Sequence, residues 1–241
     1  MHARFAGCLL VLGLLTAACS QPAPALRTSP DRAEPSRMDE LEALYWARID
    51  SSRTRFTEAD IRYMTGMIGH HAQAIVMSAY APTNGASPAV QRLAARIDNA
   101  QRDEIRSMQR WLRDREQPVP EVDALGRVAM PGAAMDHSGH DMGSHAMAGH
   151  DMADHATMPG MLTQAQLDEL AAARNGAFDR LYLAYMIQHH GGAVVMVDEL
   201  FATDGAAQDE QAFKMASDVQ VDQRTEIARM QRMLDALPPT E

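Results

Sequence analysis

Met67-Ile68-Gly69-His70-His71-Ala72-Gln73-Ala74-Ile75-Val76-Met77 returns 119 positions later as Met186-Ile187-Gln188-His189-His190-Gly191-Gly192-Ala193-Val194-Val195-Met196. A single pair of adjacent histidines is a common accident. Two pairs in the same frame of methionines and aliphatics mark a duplicated unit built around a site. The duplication is wider than the motif, since Asp60 falls on Asp179 and Tyr63 on Tyr182. Further on the offset becomes 122, where Glu104-Ile105, Met108-Gln109-Arg110 and Leu112 match Glu226-Ile227, Met230-Gln231-Arg232 and Leu234. The change of offset is an insertion in the connecting loop of the second copy.

Each copy reads as a helical hairpin. In the first, residues 57–117, Thr57 with Asp60 three residues on forms a capping box, and the helix runs to about Tyr80. Pro82-Thr83-Asn84-Gly85 breaks it, and Ser87 with Pro88 behind it starts a second helix that runs to about Glu116. Val90, Leu93, Ala94, Ile97, Ile105, Met108, Trp111 and Leu112 keep a helical period in that second helix. In the second copy, residues 162–237, Thr163 with Gln166 starts a short helix ending at Asn175-Gly176. A longer helix from about Ala177 to Phe201 carries the motif, and another from about Ala206 to Leu237 completes the hairpin. No strand pattern competes. A helical hairpin has one apolar stripe to bury, so two related hairpins imply an all-α four-helix bundle with approximate internal symmetry. Two separate two-helix units, each dimerising with another molecule, satisfy the same pattern.

The ends of the chain set the compartment. Residues 1–18 carry Arg4, an apolar run from Ala6 to Leu15 and then small residues, which suits an export signal and is too short for a membrane span. Leu15-Thr16-Ala17-Ala18-Cys19 resembles the lipobox of bacterial lipoproteins, in which the cysteine is acylated and becomes the N-terminus; an ordinary signal peptide is the alternative. From Ser20 to about Met38 the chain is rich in Pro, Ala, Ser and Arg, as expected of a flexible tether within the segment 19–56. Cys8 leaves with the signal and Cys19 carries lipid, which excludes disulfides and cysteine metal sites. A formal charge of −10 and 5% aromatic residues argue against nucleic-acid binding, which wants a basic face.

The chemistry lies in the repeated motif. On a helix, Asp60, Met67, His70, His71, Ala74 and Met77 fall within an arc of about 120 degrees. Two imidazoles in an apolar stripe are costly unless each finds hydrogen bonds or a metal. His70 and His71 point about 100 degrees apart, so one histidine of each pair is expected to bind metal while the other holds a carboxylate or faces solvent. Gln101, Glu104 and Met108, echoed by Gln223, Glu226 and Met230, share one face of the following helix, so polar groups from both helices converge. A hydrogen-bonded core histidine and a methionine stripe used for packing are the plain alternatives.

The segment between the copies, residues 118–161, reads as a Met/His-rich linker, and its stretch from Met130 to Met161 is expected to be disordered without a ligand. From Met130 to Met161 it holds seven methionines and five histidines. Met135, His137, His140, Met142, His145, Met147, His150, Met152 and His155 are candidate ligands, with His-Asp-Met at both His140 and His150. Thioethers are soft ligands that select copper(I) and, by extension, silver(I), whereas imidazole also accepts copper(II), nickel or zinc. A tract of oxidant-scavenging methionines is the bland reading.

With Asp60 seven residues ahead of Met67 and with Gln101-x-x-Glu104-Ile105-x-x-Met108 downstream, the motif resembles the bacterial family called domain of unknown function 305, from about Thr57 to Leu237. The resemblance implies a ferritin-like four-helix bundle, export, and copper binding in copper homeostasis or resistance. It implies as ligands Met67, His70, His71 and Met77 with Met186, His189, His190 and Met196, supported by Met108 and Met230. Asp60 and Asp179 occupy the family's aspartate position and are expected to orient a histidine. Gly69 and Gln73 face Gln188 and Gly192 in the second copy, so the two halves need not bind alike.

The leading expectation is an exported, membrane-tethered protein that sequesters copper, with Cu(I) favoured over Cu(II), or hands it to a copper-exporting or copper-accepting partner. No catalysis is expected, with oxidation of copper(I) bound at the methionine tract left open, as is self-association. A ferritin-like metal oxidase and a metal-independent envelope interaction protein are the alternatives.

Overall fold

The computed structural model describes residues 36–130 and 158–238. They form helices α1 (Arg37–Arg53), α2 (Glu58–Ala79) and α3 (Pro88–Asp114), strands β1 (Glu121–Val122) and β2 (Val128–Ala129), and helices α4 (Gln164–Ala172), α5 (Asn175–Ala202) and α6 (Glu210–Asp235). The chain divides into a unit ending at Glu42 and a body beginning at Ala43. The mostly helical content agrees with the all-α expectation.

Local chemistry explains the helix starts. Thr57 and Asp60 form the expected capping box of α2, and Thr163 and Gln166 do the same for α4. Ser87 accepts from Val90 N at the start of α3, with Pro88 in its first turn. α6 begins later than the sequence suggests, because Gly205 takes φ +77° and the Asp209 carboxylate, accepting from Gln211 N and Ala212 N, is the group that caps it.

Two parts differ from expectation. Helix α1, which the sequence reading did not mark, lies in the segment 19–56 beyond the stretch to about Met38 read as a tether. Residues 118–130 are a small hairpin, with β1 antiparallel to β2, where a linker without strands was expected. Asp123 Oδ1 accepts from Leu125 N and Arg127 N at its turn, and Gly126 takes φ +78°. Two-residue strands leave no alternation in the sequence to read.

α2 packs along α3, α5 packs along α6, and α2 packs against α5. The core forms two clusters whose membership is crossed between the copies. One unites Met67 and Met108 of the first copy with Ala193 and Val197 of the second. The other unites Met186 and Met230 of the second copy with Ala74 and Met77 of the first. Met67 and Met186 are repeat counterparts, as are Ala74 and Ala193, so the exchange describes an approximate two-fold axis between α2 and α5. The histidine pairs sit on that axis, between Met67 and Ala74 on one helix and Met186 and Ala193 on the other.

Paired aspartates fasten the crossing. Asp60 Oδ1 accepts from Ala207 N at 2.7 Å, in the loop of the second hairpin. Asp179 Oδ1 accepts from Ser87 N at 3.0 Å, in the loop of the first. Each copy thus ties down the turn of the other.

Candidate metal centre

All four motif histidines are fully buried. The crossing of α2 and α5 sets His70 against His189, with ring centroids 3.9 Å apart and planes inclined by 38°. His189 Nε2 donates to the backbone carbonyl of His70 at 3.0 Å, and His70 Nε2 donates to the carbonyl of Pro159 at 3.0 Å. The other histidine of each pair turns to the second helix of its own hairpin. His71 Nε2 donates to Glu104 Oε2 at 2.5 Å, and His190 Nε2 donates to Glu226 Oε2 at 2.8 Å.

These acceptors are carbonyl and carboxylate oxygens, which have no hydrogen to give. Hydrogen-bond logic therefore puts the ring hydrogen on Nε2 in all four histidines. Each Nδ1 is left buried without a hydrogen-bond partner. An unsatisfied buried polar atom costs about 1–3 kcal/mol, so four of them in one core invite a ligand. Burial, and next the neighbouring His71, push His70 down to about 3, against the pull of the Pro159 carbonyl. Burial, followed by His70, His190 and His71, holds His189 well below its usual 6.5. Both rings are consequently neutral at ordinary pH, the form in which imidazole binds metal.

Around this axis the structure brings together some of the expected residues and separates others. His70 joins His189 across the copies, and His71 and His190 hold carboxylates. Met67, Met77, Met108, Met186 and Met230 are fully buried core side chains, divided between the two clusters. Met196 is half-buried, and its methyl lies beside Met158 Sδ over Gly66, where a Cβ would meet them at 3.4 and 3.3 Å. Asp60 and Asp179 are not histidine-orienting groups. Their carboxylates are taken up by the loop and cap amides of Ala207, Thr57 and Ser87. The carboxylates that orient histidines are Glu104 and Glu226. Among the described residues, no three His, Asp, Glu or Cys side chains gather into a ready-made metal cage. The signal at 1–18, Cys19, and Met135, His137, His140, Met142, His145, Met147, His150, Met152 and His155 lie outside the described residues.

Sequence reasoning missed the part played by residues 158–162. Gly160 takes φ +76°, and a Cβ on Gly192 would lie 1.9 Å from the Pro159 oxygen. Glycine is required there for the loop to lie on α5 and present that oxygen to His70. Gln73, the counterpart of Gly192, pins the next residues by accepting from Leu162 N at 2.8 Å and donating to Leu162 O at 3.0 Å. The Gln73/Gly192 difference between the copies is therefore the footprint of this loop, and the Gly-Gly at 191–192 was its one visible trace.

Burial, duplication and crossed connections define a class: an internally repeated helical protein with imidazoles buried on its pseudo-symmetry axis. The chain belongs to the family described as Domain of unknown function (DUF305), whose family model matches residues 60–234. It is similar to the crystal structure of a DUF305 fragment from Deinococcus radiodurans, at 25% identity and TM-score 0.56, covering 76% of this chain and 99% of that one. A DUF305 protein from Streptomyces coelicolor shares the fold at 22% identity and TM-score 0.56, covering 73% and 91%. CopM in its Cu(II)-bound form matches at 28% identity and TM-score 0.49, covering 73% and 95%. Comparison with curated proteins returns no match.

Proposed function

We propose that this protein is an exported copper-binding protein that holds the ion at the histidine pairs on its pseudo-two-fold axis. Its cargo is copper, with Cu(I) favoured over Cu(II) and silver(I) as a mimic. It sequesters the ion or passes it to an exporting or accepting protein, and it catalyses no reaction. The observation that carries this reading is four buried rings with every Nε2–H tied to oxygen and every Nδ1 without a partner. A ring hydrogen held by a carboxylate or carbonyl is the arrangement that metal-bound imidazoles adopt, because it fixes the tautomer and aims the other nitrogen. Imidazole and thioether donors support a soft ion.

In the same reading the two hairpins are a ferritin-like four-helix bundle, and Cys19 anchors the mature protein by lipid to the cell envelope. The Met/His-rich linker between the copies collects copper for the centre, which Pro159 borders through its hydrogen bond with His70.

Anaerobic titration with Cu(I) against a competing chelator tests it, on the mature protein, on a His70→Gln/His189→Gln variant and on a version lacking residues 131–157. The cut spares residues 158–162 because Pro159 supports His70. Removing that part of the linker should lower the stoichiometry and leave a tight site, which the double variant should lose. The reading fails if the protein does not compete with the chelator, or if the double variant keeps the tight site.

A further inference from the structure

A cavity of about 70 Å³ opens between α3 and α6, with Gln101 and Glu104 on one wall and Asp222, Gln223 and Glu226 on the other. The two glutamines are repeat counterparts, as are the two glutamates, so the cavity straddles the pseudo-two-fold axis. Gln101 and Gln223 are only 1% and 2% exposed. Neither amide atom of Gln101 has a hydrogen-bond partner, and neither does Gln223 Oε1. Hydrophobic packing has no use for two bare amides at equivalent positions, and buried amides are ordinarily satisfied. Something that fills the cavity would satisfy them.

The rest of the lining says what it should be. Glu104, Asp222 and Glu226 bring three carboxylates to the same space, and Glu104 and Glu226 each use only Oε2 on a histidine. The cation facing them is Arg96, whose Nε lies 3.9 Å from Glu226 Oε1 and whose side chain is 63% exposed. Carboxylate and amide oxygens are hard donors, suited to a divalent cation of the magnesium, manganese or calcium kind rather than to a soft ion. Because no three acidic or histidine side chains surround one point among the described residues, such an ion keeps part of its water. The volume accommodates it, since about 10–15 Å³ of such space is enough for one water molecule.

We propose that this cavity is a second cation site, in which one hydrated, hard divalent ion is held, in part through its own water, by the oxygens of Gln101, Gln223, Glu104, Asp222 and Glu226. It is separate from the imidazole nitrogens and does not depend on what they bind. The two sites are nonetheless adjacent, because Glu104 and Glu226 each face the cavity and also hold a histidine.

Manganese(II) is the probe, added to the metal-free full chain and followed by the loss of its free EPR signal, with magnesium and calcium as competitors. One saturable Mn²⁺ per chain is expected. The Gln101→Leu/Gln223→Leu variant, and separately Asp222→Asn on the rim of the cavity, should each weaken it by about tenfold or more. Asp222→Asn decides the matter if the double variant does not fold. Cu(I) is titrated into the same samples, so that failure of the histidine reading and failure of this one are told apart. A cavity that holds water alone gives no saturable Mn²⁺ binding, which overturns the proposal. Mn²⁺ affinity unchanged in Asp222→Asn also overturns it, because the ion then sits elsewhere.

Discussion

Acidifying the metal-free protein from pH 7.5 to pH 5 should destabilise it, and His70 supplies a definable share of the loss. In the unfolded chain this imidazole titrates near 6.5, while burial keeps it at about 3 in the folded state. Below pH 6.5 the unfolded state therefore binds a proton that the folded state refuses, and stability falls as pH falls. At pH 5, about 1.5 units below the unfolded value, the difference amounts to about 2 kcal/mol. Urea denaturation of the wild type and of His70→Gln at both pH values isolates this contribution, provided that the slope with denaturant is unchanged. The wild type should lose about 2 kcal/mol more than the variant over the same interval. His189, also held low by burial, acts in the same direction. Equal losses in the two proteins would refute the argument, because His70 would then be accommodating its proton in the folded state.

Gly192→Ala should cost about 1–3 kcal/mol, since its Cβ would strike the Pro159 oxygen. Gly191→Ala, with open space at its Cβ, should instead stabilise by about 1 kcal/mol, and thermal melts of both variants check the opposite signs. Asp60→Ala and Asp179→Ala should each lower stability by about 1–3 kcal/mol, by leaving Ala207 N or Ser87 N bare, and should leave Cu(I) affinity unchanged. A large change in affinity would restore the histidine-orienting role that the structure withholds from them. Glu104→Gln and Glu226→Gln should show the reverse pattern. Their folds persist while metal affinity at the adjoining histidine drops by about 10–100-fold in chelator competition.

Much of the architecture was legible because it rests on local rules. The Thr57/Asp60 and Thr163/Gln166 capping boxes, the Ser87-Pro88 start and the Pro82–Gly85 break are each decided within a few residues, and each helix begins where they put it. The burial of His70, His71, His189 and His190 followed from their sharing a stripe with aliphatics. That the two histidines of a pair point apart followed from helical angle, which left open whether the second would hold a carboxylate or face solvent. Asp60 and Asp179 show the limit of that reasoning. Each stands on the motif stripe, yet each reaches out of its own copy to an amide in the turn of the other.

By itself, then, the sequence determined the duplication, the helices of the two hairpins and the burial of the motif stripe, because spacing, capping and hydrophobic period act over one or two turns. Only the tertiary structure decided that His70 faces His189, that Pro159 closes over the pair, and that Gln101 and Gln223 meet across a cavity. Those relations depend on how two hairpins cross. A helix can specify which face it buries, but the atom that arrives opposite that face belongs to another element more than eighty residues away in the chain.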